Sequence, residues 1–146
     1  MLKQITVFLE NRPGRMEEVT GCLAGENINL HALSIADTTD FGILRMIVSD
    51  PLKAAQVLKE NGFMVKTTDV IAVPIGHKPG SLHMILRKLN ESDVSIEYMY
   101  AFSSRLKSHD AIVIFSLSDQ DIALEKLKGS GVPILGDDLI DQLNES

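Results

Sequence analysis

The sequence predicts an α+β protein built from two tandem copies of one βαββαβ unit, and three observations predict it. First, a Pro-Gly turn recurs: Asn11-Arg12-Pro13-Gly14 follows the alternating Ile5, Val7 and Leu9, and His77-Lys78-Pro79-Gly80 follows Ile71, Val73 and Ile75, 66 positions later. Second, the apolar residues after the turn repeat at the same offset, Met16 with Leu82, Val19 with Ile85, Leu23 with Leu89, Ile28 with Val94 and Leu30 with Ile96. Third, Asp50, Ala54, Leu58 and Gly62 recur as Asp119, Ala123, Leu127 and Gly131 at an offset of 69, so the second copy has gained three residues. The polar stretch Ser103–Asp110, against Asp37-Thr38-Thr39-Asp40 in the first copy, is where a turn accommodates that gain. Pattern, punctuation and a single insertion together favour a duplication over one continuous domain, with a boundary near Ala72 to Gly76 and copies spanning residues 1–73 and 74–146.

Each element follows from its period. Gln4 to Leu9 alternates as a strand. Pro13 suits the first turn of a helix whose apolar face is Met16, Val19 and Leu23, and Gly25-Glu26-Asn27 stops it. Ile28 to Ala36 and Gly42 to Ser49, rich in β-branched and aliphatic residues around a polar turn, read as a hairpin. Asp50 caps a second helix with Pro51 in its first turn and a stripe of Ala54, Ala55 and Leu58; Gly62 ends it before a last strand from Met64 to Val73. Two helices on one face of a four-stranded antiparallel sheet are the compact solution for that order. The second copy repeats it to Gly131. Beyond, Leu139, Ile140 and Leu143 suit a strand or a short terminal helix equally.

Composition narrows the function. Hydrophobic residues at 45% and charged residues at 23% are those of a globular chain. A net charge of −6 disfavours nucleic acid and anionic membranes, which call for clustered Lys and Arg. The strand Ile43-Leu44-Arg45-Met46-Ile47-Val48 offers no aromatic ring on which an RNA base could stack. No apolar run reaches the roughly 20 residues of a membrane span, and Met1-Leu2-Lys3-Gln4 does not open a signal peptide, so a cytoplasmic location is expected. Cys22, the only cysteine, reads as a small core residue; one cysteine makes neither an intramolecular disulfide nor a thiolate metal cluster. The carboxylates are spread over helix faces and turns without a catalytic spacing, and the adjacent Ser108, His109 and Asp110 diverge as neighbours in a loop. The chain therefore reads as a non-enzyme without cofactor or metal.

The turns carry the remaining chemistry. Pro13 contributes no N–H, but Gly14, Arg15 and Met16 leave backbone donors facing the preceding loop with the helix dipole behind them. Gly14 permits close approach, and the Asn11 amide both donates and accepts, matching the two ends of a zwitterion. An Asn-x-Pro-Gly helix start is equally ordinary capping chemistry. Asn11-Arg12-Pro13-Gly14-Arg15-Met16, then Val19, Leu23, Gly25 and Glu26-Asn27-Ile28-Asn29-Leu30, resembles the opening of an ACT domain, whose pattern is Asp/Asn-x-Pro-Gly, a helix, then Ile-Asn-Ile. The resemblance covers essentially the whole chain, twice.

It implies a ferredoxin-like fold and the binding of a free amino acid where two ACT units meet, held by the loop after the first strand. Asn11 and Asn29 would be its polar contacts, Arg12 and Pro13 belong to that loop, and the backbone from Gly14 through Arg15 to Met16 would receive the carboxylate. In the second copy His77 replaces Asn11 and Ser95 replaces Asn29, followed by Gly80, Ser81 and Leu82, so that site departs from the pattern. His77 is a ligand contact or a solvent-facing turn residue. Tyr98 lines the first site or serves packing and a dimer face. The partners implied are a free amino acid and either a second copy of the chain or an enzyme of amino-acid metabolism.

Overall fold

The computed structural model describes residues 1–37, 40–104, 106 and 110–145. Both hairpin turns, including the three-residue gain expected within Ser103–Asp110, lie partly outside the described residues. Internal contacts divide the chain into two units, Lys3–Asp69 and Met1–Leu2 with Val70–Ser146, so both cuts, after Leu2 and after Asp69, fall within strands.

In the first unit, β1 (Leu2–Glu10), α1 (Arg15–Gly25), β2 (Leu30–Asp37), β3 (Phe41–Val48), α2 (Pro51–Glu60) and the start of β4 (Met64–Ile75) follow in βαββαβ order, with strands arranged β2-β3-β1-β4. β1 pairs antiparallel with β3, Ile5 opposite Met46 and Val7 opposite Leu44, and β2 pairs antiparallel with β3's other edge, Leu33 opposite Met46. Because facing residues share a side of the sheet, Ile5, Val7, Leu9, Leu44, Met46 and Val48 form one apolar surface. Val19 and Leu23 of α1 and Ala54, Ala55 and Leu58 of α2 complete that core, with Cys22 half-buried against it.

Helix ends follow their chemistry. Asp50 Oδ1 accepts from Lys53 N–H at 3.1 Å, and Pro51 occupies the first turn. α1 differs from the expectation at its start: Gly14, at φ +89°, is the N-cap and Pro13 precedes the helix. A residue in the left-handed region cannot belong to a right-handed helix, so the Pro-Gly pair forms the turn and the helix begins at Arg15.

The second unit contains the end of β4, α3 (Ser81–Asn90), β5 (Ile96–Ser103), β6 (Ala111–Leu117) and α4 (Gln120–Gly129), with strands in the order β4-β6-β5. Ile71 and Val73 of β4, Val113, Phe115 and Leu117 of β6, Ile85 and Leu89 of α3, and Ala123 and Leu127 of α4 form its core. β6 is buried on both faces, Ile112 and Ile114 included, which is why its sequence runs apolar without alternating. Asp119 caps α4 through Ile122 N–H at 3.1 Å, as Asp50 caps α2.

The repeat breaks after α4. Leu135 makes a single bridge to Ala72, its N–H donating to that carbonyl at 2.9 Å, and the chain then forms α5 (Asp138–Glu145) with Leu139, Ile140 and Leu143 buried. The terminal helix is thus the observed alternative of the two that the apolar pattern left open.

Candidate functional site

Each Pro-Gly loop leaves its strand, turns through a glycine at φ +89°, and enters a helix. In α1 the first intrahelical bond joins Glu18 N–H to Gly14 O at 3.0 Å; in α3 it joins Met84 N–H to Gly80 O at 3.0 Å. The amides before those have no partner within the helix. A Cβ added at either glycine would meet nothing within 4 Å, so the open space over the loop is real and the glycines serve the backbone turn.

The first loop borders a cleft of about 280 Å³ between Leu9–Arg12, Arg15 and Met16 on one side and Ile35–Asp37 and Gly42 on the other. Of the residues expected here, Asn11, Arg12, Arg15 and Met16 line it, while Pro13 and Gly14 shape the turn. The cleft is charged. Arg15 Nη1 lies 2.5 Å from Glu18 Oε2, Arg15 Nη2 3.8 Å from Glu10 Oε1, and Arg12 Nε 3.3 Å from Glu10 Oε2. The Arg15 side chain is only 12% exposed and its guanidinium carbon stands 4.3 Å from the centre of the Phe63 ring, a cation–π contact. Arg15 Nε is buried without a hydrogen-bond partner. Glu10, Glu18 and Phe63 were not foreseen; only Arg15 and Glu18, one helical turn apart, carried a readable signal.

The second loop borders a hollow of about 510 Å³ formed by Ile75–His83, which brings His77, Gly80, Ser81 and Leu82 together. Asp110 Oδ2 accepts from the His77 backbone N–H at 3.1 Å, and Ser81 N–H donates to Lys78 O at 3.3 Å, which holds the turn. Among the residues that line it there is no carboxylate.

Asn29 and Ser95 stand apart from both. Asn29 N–H donates to Ser49 Oγ at 2.8 Å and Ser49 N–H returns to Asn29 O at 2.9 Å; Ser95 and Ser118 do the same at 3.0 and 2.9 Å. This closes the hairpin at the start of β2, whereas the cleft lies at its other end, where Asp37 pairs with Gly42, roughly 20 Å away at 3.3 Å per residue. Tyr98 lies on β5 opposite Ser116, on the face turned away from α3 and α4, since its neighbour Met99 pairs with the core residue Phe115.

Among the described residues no three or more His, Cys, Asp or Glu are grouped to hold a metal, and no helix is long and apolar enough to cross a membrane. A protein from Bacteroides thetaiotaomicron has a crystal structure that superposes with a TM-score of 0.84 at 48% identity, covering 92% of this chain and 91% of that one. The regulatory subunit of aspartate kinase from Thermus thermophilus, in its ligand-free form, superposes with a TM-score of 0.59 at 16% identity, over 87% of this chain and 90% of that one. The corresponding subunit from Thermus flavus gives 0.57 at 16% identity with the same coverage. No curated protein matches the chain. Residues 1–138 match the family described as the ACT domain pair, and on that match and the geometry of its two Pro-Gly loops the chain belongs to the ACT domain pair family.

Proposed function

We propose that the chain is a non-catalytic cytoplasmic sensor of a free amino acid, which it binds at a Pro-Gly loop and reports to a separate enzyme of amino-acid metabolism or to its own assembly. The observation that carries this reading is the built opening at each loop: a glycine in the left-handed region, helix amides without helical partners, and a cleft or hollow directly above. The amides offer a carboxylate its donors, and the Asn11 side-chain amide on the first cleft can both donate and accept, which suits a zwitterion. Two of the structural neighbours are themselves regulatory subunits. The signal reaches another polypeptide because a ligand shifts whatever equilibrium it binds unequally, here between free and engaged forms of the sensor.

The alternative, an assembly module without ligand, has one observation in its favour: β2 is the last strand in its order and exposes Leu33 and Ile35 at 50% and 56%. A thermal-shift screen against the twenty amino acids at millimolar concentration separates the two. At a hundredfold over the dissociation constant a ligand adds about 2.7 kcal/mol, a rise of a few degrees in melting temperature. A response confined to one or a few related amino acids supports the sensor; a flat response to all twenty refutes it and favours assembly.

A further inference from the structure

We propose that the outer edge of β2 is an interface on which a second copy of this chain lays its own β2 antiparallel, with the two-fold axis at Ser34. β2 ends the strand order, and neither Lys nor Pro, the usual guards of an exposed edge, stands in Leu30–Asp37. Its one irregularity is a bulge between Leu30 and Ala32, which leaves Ala32–Asp37 in unbroken register with β3. The same ladder fixes which backbone groups face outward. Ser49 N–H donates to Asn29 O, so by alternation Ser49, Ile47, Arg45 and Ile43 turn their backbone groups toward β2, where Ala32, Ser34 and Ala36 answer the last three. Leu33, Ile35 and Asp37 therefore point their N–H and C=O groups away from β3, at an edge that no other described strand occupies. The side chains of Leu33 and Ile35 are 50% and 56% exposed beside it.

That edge fits a copy of itself in one register. Antiparallel pairing about Ser34 sets Leu33 opposite Ile35 of the second copy, Ala32 opposite Ala36 and His31 opposite Asp37, and symmetry repeats each pair. Leu33 and Ile35 then exchange both backbone bonds while their side chains cover each other, and an imidazole N–H faces a carboxylate at either end. Moving the axis to Leu33 sets His31 against Ile35; moving it to Ile35 sets Leu33 against Asp37. Either move places a polar group on an aliphatic one. The repeat supplies a control, because at its offset of 66 His31, Leu33, Ile35 and Asp37 become Glu97, Met99, Ala101 and Ser103 on β5, the other end of the order. Paired about Tyr100, β5 leaves Glu97 opposite Ser103, so of the two edges only β2 is matched in charge. An interface that uses the same edge on both copies closes as a dimer and does not propagate. The pairing holds whether or not the Pro-Gly loops take a ligand.

Analytical ultracentrifugation of the intact chain, combined with a cysteine placed on the axis, tests this. The chain should sediment as a dimer. Ser34 of the two copies forms a non-hydrogen-bonded pair with Cα atoms about 4.5 Å apart, within disulfide reach. Ser34→Cys should therefore yield a covalent dimer with oxidised glutathione, while the unaltered chain, with Cys22 alone, does not. His31→Asp and Asp37→His should each weaken the dimer at least tenfold, since each sets like groups together twice, and H31D/D37H should recover the parent affinity. A monomer throughout, a dimer that Ser34→Cys does not lock, or a double variant as weak as its singles overturns the inference, while the sensor reading keeps its own thermal-shift test. If Ser34→Cys fails to fold, the exposed Ile35→Lys decides: a monomer supports the β2 edge and an unchanged dimer overturns it.

Discussion

After α2, Gly62 turns at φ +84° and Phe63 N–H donates to Leu58 O at 3.0 Å; after α4, Gly131 turns at φ +79° and Val132 N–H donates to Leu127 O at 3.0 Å. The next residue is Met64 in one copy, which opens β4, and Pro133 in the other, which does not open a strand. Pro133 has no N–H to give a ladder, and beyond it only Leu135 makes an isolated bridge, to Ala72, so two identical helix stops are followed by different structures. The termination of a helix therefore does not determine what comes next. Where a strand is not continued, the apolar residues that follow are buried on a helix, as Leu139, Ile140 and Leu143 are on α5.

That contrast can be broken by mutation. Leu139 is fully buried, so Leu139→Ala should cost about 2–5 kcal/mol in urea denaturation, whereas Met64→Ala at the 70%-exposed start of β4 should stay within about 0.5 kcal/mol. Equal effects would mean that α5 contributes no more to its unit than an exposed side chain does. A second pair probes likeness rather than difference. Gly14→Ala and Gly80→Ala, both at φ +89° with open space for the Cβ, should each cost about 1–2 kcal/mol, and by matching amounts because the cost is purely conformational. A smaller effect is expected at the second helices, where Asp50→Ala and Asp119→Ala should each lower stability by about 1 kcal/mol, since each removes a cap of the same 3.1 Å length. Smallest is Lys3→Met. Its ion pair with Asp69, at 2.6 Å, is half-exposed on both sides and should be worth less than about 1 kcal/mol, falling further as salt is added to the same denaturation series.

Much of the fold was legible because its signals are local. The Asp caps, the Ala54, Ala55 and Leu58 stripe and the glycine stops each act on residues a few positions away, and a duplication shows each of them twice. Boundaries moved where a glycine's backbone mattered: Pro13 looked helical until Gly14 proved to take a conformation that excludes it. The terminal segment stayed ambiguous because Leu139, Ile140 and Leu143 fit two periods, although Pro133 was already visible as the residue that weakens a strand. Of the site, the loop residues were readable and their surroundings were not. Phe63 reaches Arg15 from across the fold, and Asn29 meets Ser49 twenty residues away; neither pairing leaves a trace in spacing. Asn29 fits the motif of the family, yet its backbone closes a hairpin in the same way as Ser95, and that role accepts either side chain.

Cys22 gives the first copy a private chemical clock. It is half-buried against the core of α1 and α2, and Lys88 occupies its place in the second copy. Because it is the chain's only thiol, the rate at which a disulfide reagent modifies it reports opening of that one core. Each destabilising change in the second copy then leaves a readout that it does not chemically touch. A mutation there that speeds labelling of Cys22 would measure, in seconds or hours, how far loosening one copy loosens the other.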